Sequence, residues 1–385
     1  MLKQIVNGRI LTPKGWLEGG SIVVDGSKIR VVSNIDLHVE GAEIIDAKGC
    51  SVVPGGVDMH AHGGGGHDFV EGTEEAFRAA VNAHVKHGTT SIFPTLSSST
   101  VPMVEAACRT CGKLMAEEDS PVLGIHIEGS YLSPKQSVGQ DSQSIKVPVA
   151  SEYEPLLDKF KCIRRWDEAP ELPGSVEFIT ACGKRGVVTA LTCTRATYED
   201  VLAAHDAGMR HAAHFYNAMP VVYKEHEFKV PGTVESVYAL QDMSVEVIAD
   251  GIHVPPVMLH VVYQIKGVEK MALITDSLAY AASDGSVTPE LHVILEDGVC
   301  KLDDHSTLVG SIATMDTLIR VCVQKANIPF ADACRMASET PARIMGVFGR
   351  KGSIEEGKDA DIMMFDADLN LTYVMQMGRE VTNEL

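Results

Sequence analysis

Apolar and polar residues alternate along the first fifty positions, between turns rich in glycine. Residues 4–11 and 20–26 follow this alternation, which is the period of antiparallel strands with one buried face. The same strand pattern returns at residues 351–365. We therefore predict a small β-sandwich domain that is built from both chain ends, residues 1–53 and 348–385.

From Pro54 onwards the pattern changes to short apolar runs that are separated by helical stretches. Such an alternation is typical of parallel βα units. Eight units predict an α/β fold, a TIM-like (β/α)8 barrel over residues 54–347. The eight runs are residues 55–59, 89–94, 122–127, 162–167, 187–191, 210–215, 245–249 and 271–275.

Composition and charge narrow the class of partner. The chain has 33 basic and 52 acidic residues and a formal charge of −19, so a nucleic acid would be repelled over most of the surface. No apolar run reaches the ~18 residues that a membrane-spanning helix needs, and we expect no membrane partner. The nine cysteines accompany no secretory signal, which predicts free thiols and a cytoplasmic protein.

Polar residues with metal-binding chemistry follow several of the predicted strands. In a parallel barrel the C-terminal ends of the strands form the active site. His60 and His62, two residues apart on one strand, project to the same side at a spacing of about 7 Å, which suits one metal ion. Together the strand ends predict a metal centre. The other strand-end residues that we assign to it are Glu128, His214, His253 and Asp276.

Asp276 stands alone at the end of the eighth run. A carboxylate beside a metal ion can take a proton from water and later give it to a leaving group. We therefore predict that Asp276 is the general acid and base. His126 and His211 lie close in sequence to Glu128 and His214, and we expect them to support the ligands rather than to bind metal.

These motifs resemble those of the N-acetylglucosamine-6-phosphate deacetylase family of the amidohydrolase superfamily, over nearly the whole chain. The shared segments are PGGVDMHAHGG at residues 54–64, HIEG at 126–129, EAPE at 168–171, HFYNAMP at 214–220, ADGIH at 249–253 and LITD at 273–276. The resemblance implies a homodimer that uses one or two divalent ions, expected to be zinc, in amino-sugar catabolism. The implied reaction converts N-acetylglucosamine-6-phosphate to glucosamine-6-phosphate and acetate.

The resemblance also implies roles for individual residues. Glu128 and His214 would hold the catalytic ion, and His60 and His62 would add a second one. Asn217, the Ala218 backbone and His253 would face the sugar phosphate.

One metal-ligand position departs from the family pattern. The resemblance places a histidine where this chain has Cys193. A thiolate is a competent zinc ligand but leaves the ion a weaker Lewis acid. Two interpretations stay open: Cys193 ligates the ion, or Cys193 is a buried thiol and the ion lies with His60, His62, Glu128 and Asp276.

Two further departures lie on the substrate side. Gln140 stands where relatives often have a histidine that polarises the acetyl carbonyl, and Lys229 replaces an arginine that reaches the phosphate bound by a neighbouring subunit. Lysine keeps the charge but loses the planar pair of donors. These changes leave open a second substrate, either N-acetylgalactosamine-6-phosphate or an unphosphorylated N-acyl sugar. Cys193 leaves open a non-catalytic relative that only binds a sugar phosphate.

Overall fold

The computed structural model describes residues 2–137, 143–283 and 292–381 of the 385. The strands are β1 (Leu2–Thr12), β2 (Gly15–Asp25), β3 (Lys28–Ser33), β4 (Glu43–Asp46), β5 (Ser51–Pro54), β6 (Gly56–Ala61), β7 (Gly63–Gly64), β8 (His67–Asp68), β9 (Thr89–Leu96), β10 (Ile125–Glu128), β11 (Ile163–Glu168), β12 (Val188–Leu191), β13 (His211–Ala212), β14 (Tyr223–Glu225), β15 (Phe228–Val230), β16 (Ser244–Ile248), β17 (Met271–Ile274), β18 (Val293–Glu296), β19 (Val299–Leu302), β20 (Leu308–Ser311), β21 (Ile362–Phe365), β22 (Leu371–Gln376) and β23 (Arg379–Glu380).

The helices lie mostly between the strands of the central part of the chain. They are α1 (Glu74–Lys86), α2 (Val101–Met115), α3 (Ala150–Lys159), α4 (Ser175–Lys184), α5 (Tyr198–Ala207), α6 (Thr233–Ala239), α7 (Pro256–Lys266), α8 (Met315–Gln324), α9 (Phe330–Ala337) and α10 (Glu339–Ile344), with a 3-10 helix at Phe69–Glu71. Among the described residues, no helix has both the length and the apolar character required to span a membrane.

Among the described residues, eight parallel strands form the central barrel. Their order is β6-β9-β10-β11-β12-β13-β16-β17, and each coincides with one of the apolar runs in the sequence. β9 and β16 are buried along their whole lengths, because helices cover one side of the strands and the barrel interior covers the other. The predicted fold class is confirmed, with a barrel and a sheet-rich second domain.

Helix α1 shows how the sequence forms the outer layer. The Thr73 side chain accepts a hydrogen bond from the Ala76 backbone N–H, which caps the helix at its start. Phe77, Ala80 and Val85 are buried on one face, at the spacing of an amphipathic helix. The helix therefore packs its apolar face against the barrel and connects β8 to β9.

The first and last barrel strands, β6 and β17, meet through side chains and isolated backbone contacts. The Asp58 carboxylate accepts a hydrogen bond of 2.6 Å from the Thr275 hydroxyl, and the Asp276 backbone N–H donates to the His60 carbonyl at 2.9 Å. Burial raises the pKa of Asp58 to about 7, against the opposing effect of Thr275. This junction places Asp276 directly beside His60.

A second large sheet combines the two ends of the chain. Its order is β23-β22-β21-β5-β1-β2-β3, and β4 pairs with β1. β21 runs antiparallel to β5, with Ile362 opposite Pro54. Ile5, Ile22 and Ile362 belong to its own apolar core. The domain boundaries, after residue 53 and before residue 348, stay a prediction that this arrangement supports.

Candidate active site and metal centre

The strand-end residues singled out in the sequence lie together at the C-terminal end of the barrel. Glu128 ends β10, whereas Cys193, His214 and Asp276 closely follow β12, β13 and β17. These four residues and His62 line one cavity of about 700 Å³. His60, in β6, lies behind His62. The fold therefore brings together candidate ligands that lie up to 216 positions apart in the sequence, the distance from His60 to Asp276.

One group of ligand atoms consists of two imidazoles and two carboxylates. The His62 Nε2 lies 3.3 Å from the His60 Nε2, 3.2 Å from an Asp276 oxygen and 3.4 Å from the Glu128 Oε2. The His60 Nε2 lies 3.4 Å from the same Asp276 oxygen. Ligands of a tetrahedral ion with bonds of about 2.1 Å are about 3.4 Å apart. Hence these residues fit a divalent metal ion.

A second group shares Glu128 and adds His214 and Cys193. The Glu128 Oε1 lies 2.9 Å from the His214 Nε2, and the Cys193 Sγ lies 3.9 Å from that nitrogen. His214 Nδ1 donates to the Asn217 carbonyl at 3.1 Å. Because a carbonyl only accepts, Nδ1 carries a hydrogen, and Nε2 is the ring nitrogen that faces Glu128 and Cys193.

Glu128 is the common member of both groups. Its Oε2 faces His62, whereas its Oε1 faces His214 and accepts a hydrogen bond of 3.2 Å from the Thr192 hydroxyl. A carboxylate that divides its oxygens in this way can contact two ions. The geometry therefore accommodates one ion or two.

Burial and charge act in opposition on the acidic residues of the site. Burial raises the pKa of Asp276, but His60 and His62 outweigh it and hold this pKa at about 2. Glu128 shows the same balance, and His214 and His62 hold its pKa well below the usual range. Both carboxylates are therefore ionised at neutral pH. Burial raises the pKa of the Cys193 thiol, so metal binding there would release a proton.

Three residues of the candidate metal centre hold a left-handed backbone conformation. The φ angles are +40° at Cys193, +26° at His214 and +46° at Asp276. Such angles cost of order 1–3 kcal/mol for residues other than glycine and are concentrated at functional sites. The chain thus turns sharply after β12, β13 and β17, which directs these side chains into the cavity.

The structure places some of the residues predicted to bind substrate in the cavity and others outside it. Asn217, Ala218 and His253 line the cavity. His253 Nδ1 lies 2.6 Å from the Asp250 carboxylate, which orients its ring. Lys229 lies in the exposed strand β15 and is not among the residues that line the cavity of its own chain. Gln140 lies outside the described residues.

The cavity wall combines acidic, neutral polar and apolar side chains. Among the described residues that line it, none is lysine or arginine, and Asp68 adds a further carboxylate. The adjacent sequence at residues 138–142 and 284–291 also contains neither. A phosphate in this cavity would therefore meet no lysine or arginine among the described residues of its wall.

Sequence reasoning missed the buried charged residues that lie beneath the candidate ligands. Arg165 and Glu246 are fully buried in the barrel interior, and Glu246 lies 2.7 Å from the His60 Nδ1. His211 lies 3.2 Å from Glu246 and His126 lies 3.0 Å from Asp167, and their supporting role stays a prediction. The available signal was a charged residue within an otherwise apolar strand, as in Val245-Glu246-Val247.

The chain is similar to known proteins along nearly all of its length. The amidohydrolase family matches residues 51–381. The N-acetylglucosamine-6-phosphate deacetylase of Haemophilus influenzae is 28% identical over 97% of this chain and 98% of its own. The N-acetylgalactosamine-6-phosphate deacetylase of Shewanella sp. is 26% identical over 93% and 95%.

Solved structures agree with this similarity. The crystal structure of N-acetylglucosamine-6-phosphate deacetylase from Pasteurella multocida has a TM-score of 0.92 to this chain. Its sequence identity is 29%, and the match covers 100% of both chains.

Proposed function

Because the chain belongs to the amidohydrolase family, we propose that it is a metal-dependent deacetylase that converts N-acetylglucosamine-6-phosphate to glucosamine-6-phosphate and acetate. The observation that supports this most is that the Nε2 atoms of His60 and His62 each lie 3.2–4.0 Å from carboxylate oxygens of both Glu128 and Asp276. The relatives at 26–29% identity act, by their names, on N-acetylated amino-sugar phosphates.

Glu128 and His214 would hold a divalent ion, with Cys193 as the third protein ligand. His60, His62 and Asp276 would hold a second ion on the other side of Glu128. Imidazole and thiolate donors favour zinc. A divalent ion in this position supplies Lewis acidity, which polarises an amide carbonyl and lowers the pKa of bound water.

Asp276 would carry the proton during hydrolysis. Its carboxylate is ionised at neutral pH and lies at the cavity wall beside both imidazoles of β6. It is therefore able to accept the proton of the attacking water and to return it to the departing amine nitrogen. A structure that only bound sugar phosphates would have no need of such a carboxylate.

Asn217, Ala218 and His253 would contact the sugar phosphate, and Gln140 the acetyl carbonyl. Since no lysine or arginine of the chain lines the described cavity, we assign the cation that meets the phosphate to Lys229 of a second copy. In this assignment the active form is a homodimer.

The hairpin of β14 and β15 offers a surface for that second copy. Val221, Val222, Tyr223 and Phe228 expose 47%, 49%, 44% and 68% of their surface. Large apolar side chains exposed together indicate a protein interface. Phe228→Asp should convert a dimer to a monomer in light scattering and raise KM for the phosphorylated sugar. The control Val176→Asp, at an apolar residue of α4 with 46% exposure, should leave the mass unchanged. A Phe228→Asp dimer would contradict this interface.

The state of the cysteines supports a proposal for the cellular location. The nine cysteines all lie in the described residues and are all free, which suits a reducing compartment. We therefore propose that the protein works in the cytoplasm.

Acetate release from N-acetylglucosamine-6-phosphate, by protein with counted zinc content, tests the proposed reaction. Asp276→Asn should lower turnover by a factor of about 10²–10⁴. The matched control is Asp68→Asn, since Asp68 is a carboxylate of the same cavity that belongs to neither ligand group; it should change turnover less than tenfold. Wild-type activity in Asp276→Asn would contradict the role of Asp276.

A second candidate substrate is favoured by the absence of lysine and arginine from the described cavity wall. An unphosphorylated N-acetyl sugar would need no counter-charge, and the epimer N-acetylgalactosamine-6-phosphate is the substrate named for the Shewanella relative. The ratio of kcat/KM for the three sugars separates these cases. Faster hydrolysis of the unphosphorylated sugar would exclude a sugar phosphate as the preferred substrate. Tight binding without acetate release would indicate a non-catalytic protein.

A further inference from the structure

A charged cluster fills the barrel interior directly below the candidate metal centre. Its members are Arg165 and Asp167 of β11 and Glu246 of β16, and all three are 0% exposed. Charged side chains are rarely buried to this extent, because removing each from water costs several kcal/mol. Burial of the whole cluster therefore requires an explanation.

Arg165 joins the two carboxylates through a full set of hydrogen bonds. Its Nε and Nη2 donate to the Asp167 oxygens at 2.8 and 2.5 Å. Its Nη1 and Nη2 donate to the Glu246 oxygens at 2.5 and 2.8 Å. The planar guanidinium thus holds both carboxylates in one orientation.

Glu246 extends this orientation to His60. Its Oε1 lies 2.7 Å from the His60 Nδ1. Its backbone is one strand away from the loop that contains His214, and its carbonyl accepts a hydrogen bond of 2.7 Å from the Phe215 N–H of that loop. An ionised carboxylate only accepts hydrogen bonds, so the hydrogen of His60 is on Nδ1. Nε2 then presents its lone pair toward His62, Glu128 and Asp276.

His62 provides a contrast within the same site. Its Nδ1 is buried and has no hydrogen-bond partner among the described residues. The two imidazoles that lie two residues apart are therefore held differently: His60 by a carboxylate and His62 only through its Nε2 side.

We propose that Glu246, through its direct contact with Nδ1, is a positioning residue that keeps the Nε2 of His60 available as a metal ligand. This inference rests on the proposed metal centre but not on the identity of the substrate. A buried ion pair is weak support for stability, because apolar residues of similar volume often replace it without loss. A carboxylate beneath a ligating histidine, by contrast, commonly raises metal affinity 10–100-fold.

Two double variants test this role as a matched pair. Arg165→Met with Glu246→Leu removes the guanidinium and the carboxylate under His60, while Asp167 keeps His126 at 3.0 Å. Arg165→Met with Asp167→Leu removes the same guanidinium and an equally buried carboxylate, while Glu246 keeps His60. Both variants leave the net charge unchanged.

Cobalt titration of the metal-free proteins is the measurement. The double variant without Glu246 should bind Co²⁺ at the His60 group about 10–100-fold more weakly than wild type. The double variant that retains Glu246 should bind Co²⁺ with an affinity within about threefold of wild type. Cobalt near Cys193 is distinguished by its thiolate charge-transfer band. An equal loss of Co²⁺ affinity in both double variants, or no loss in the variant without Glu246, would overturn the proposal.

A second measurement needs no destabilised variant. In metal-free wild-type protein with ¹⁵N-labelled histidines, at mildly alkaline pH, the His60 signals are identified by their loss in His60→Gln. A protonated Nδ1 supports the proposal, and an unprotonated Nδ1 overturns it. Neither measurement uses substrate, so failure of the proposed deacetylase reaction would be seen separately.

Discussion

At the scale of single residues, the site depends on backbone conformations that the side chains disfavour. Cys193, His214 and Asp276 all have positive φ, and each follows a barrel strand within two residues. The hydrogen bonds from the Asp276 N–H to the His60 carbonyl and from the Ser311 N–H to the Asp276 carbonyl, at 2.9 and 3.0 Å, hold one of these turns. Chemistry at this site therefore relies on the surrounding barrel to offset local strain.

Glu168 is a buried acid outside the ligand groups. It is 0% exposed, and burial raises its pKa to about 8, with further contributions from Glu171 and Asp167 against that of Ser175. The folded protein therefore keeps the Glu168 proton up to about pH 8, whereas an exposed glutamate loses it near pH 4.5. The stabilising effect of the protonated side chain is complete below pH 4.5 and is lost as the pH rises through 8.

We predict that Glu168→Gln makes stability less dependent on pH, because the amide has no proton to lose. At pH 9 the variant should exceed wild type by a few kcal/mol in its free energy of unfolding, and at pH 5 the two should agree. Urea unfolding across this pH range is the measurement. The exposed Glu177→Gln on α4 is the control and should follow wild type; parallel curves for Glu168→Gln and wild type would refute the prediction.

At the scale of elements, the connection between β5 and β6 is a single residue. Gly55 joins the terminal sheet to the barrel, and a Cβ atom added there would lie 2.2, 2.6 and 2.9 Å from the Oγ1, Cγ2 and Cβ atoms of Thr90. Thr90 lies in β9, where its backbone is held by the barrel. Only a residue without a side chain fits between the two sheets here.

We predict that Gly55→Ala destabilises the protein by about 1–3 kcal/mol, the usual cost of overpacking. Thr90→Ala in the same chain removes the two nearest atoms and should restore part of the loss. A double-mutant cycle in urea measures the coupling. Additive effects would show that the clash with Thr90 is not the cause.

The strands themselves were predictable, and the cluster in the barrel interior was not. Apolar runs predicted β6, β9 and β16 because parallel strands are buried on both sides. Arg165 and Glu246 belong to strands 81 residues apart, and no local pattern indicates that they face each other. Likewise the sequence predicted His60 and His62 as ligands, but only the fold shows that Glu246 holds one of them.

At the scale of the whole molecule, the proposed metal ligands come from strands on different sides of the barrel. His60 lies in the first strand and His62 directly after it, Glu128 ends the third strand, and His214 and Asp276 closely follow the sixth and eighth. An ion at this point would bind the folded chain and not the unfolded one, since the ligands converge only after the barrel has closed.

We predict that removing metal with a chelator lowers the melting temperature by a few degrees. Binding to the folded state alone contributes about 2.7 kcal/mol when free metal is one hundred times Kd. Calorimetry with and without chelator is the measurement, and added zinc should reverse the shift. His62→Asn with Cys193→Ser, which removes a ligand from each group, should show a smaller shift. A melting temperature that the chelator does not change would argue against a bound ion.

The pairing of β5 with β21 has a consequence during synthesis on the ribosome. Roughly 300 residues separate the two strands, which at 5–20 residues per second is about 15–60 s of translation. Throughout that interval the apolar side chains of β1, β2 and β5 lack the strand that completes their sheet. The nascent chain thus has an open sheet edge until its final segment emerges, which makes the N-terminal strands a natural substrate for chaperones.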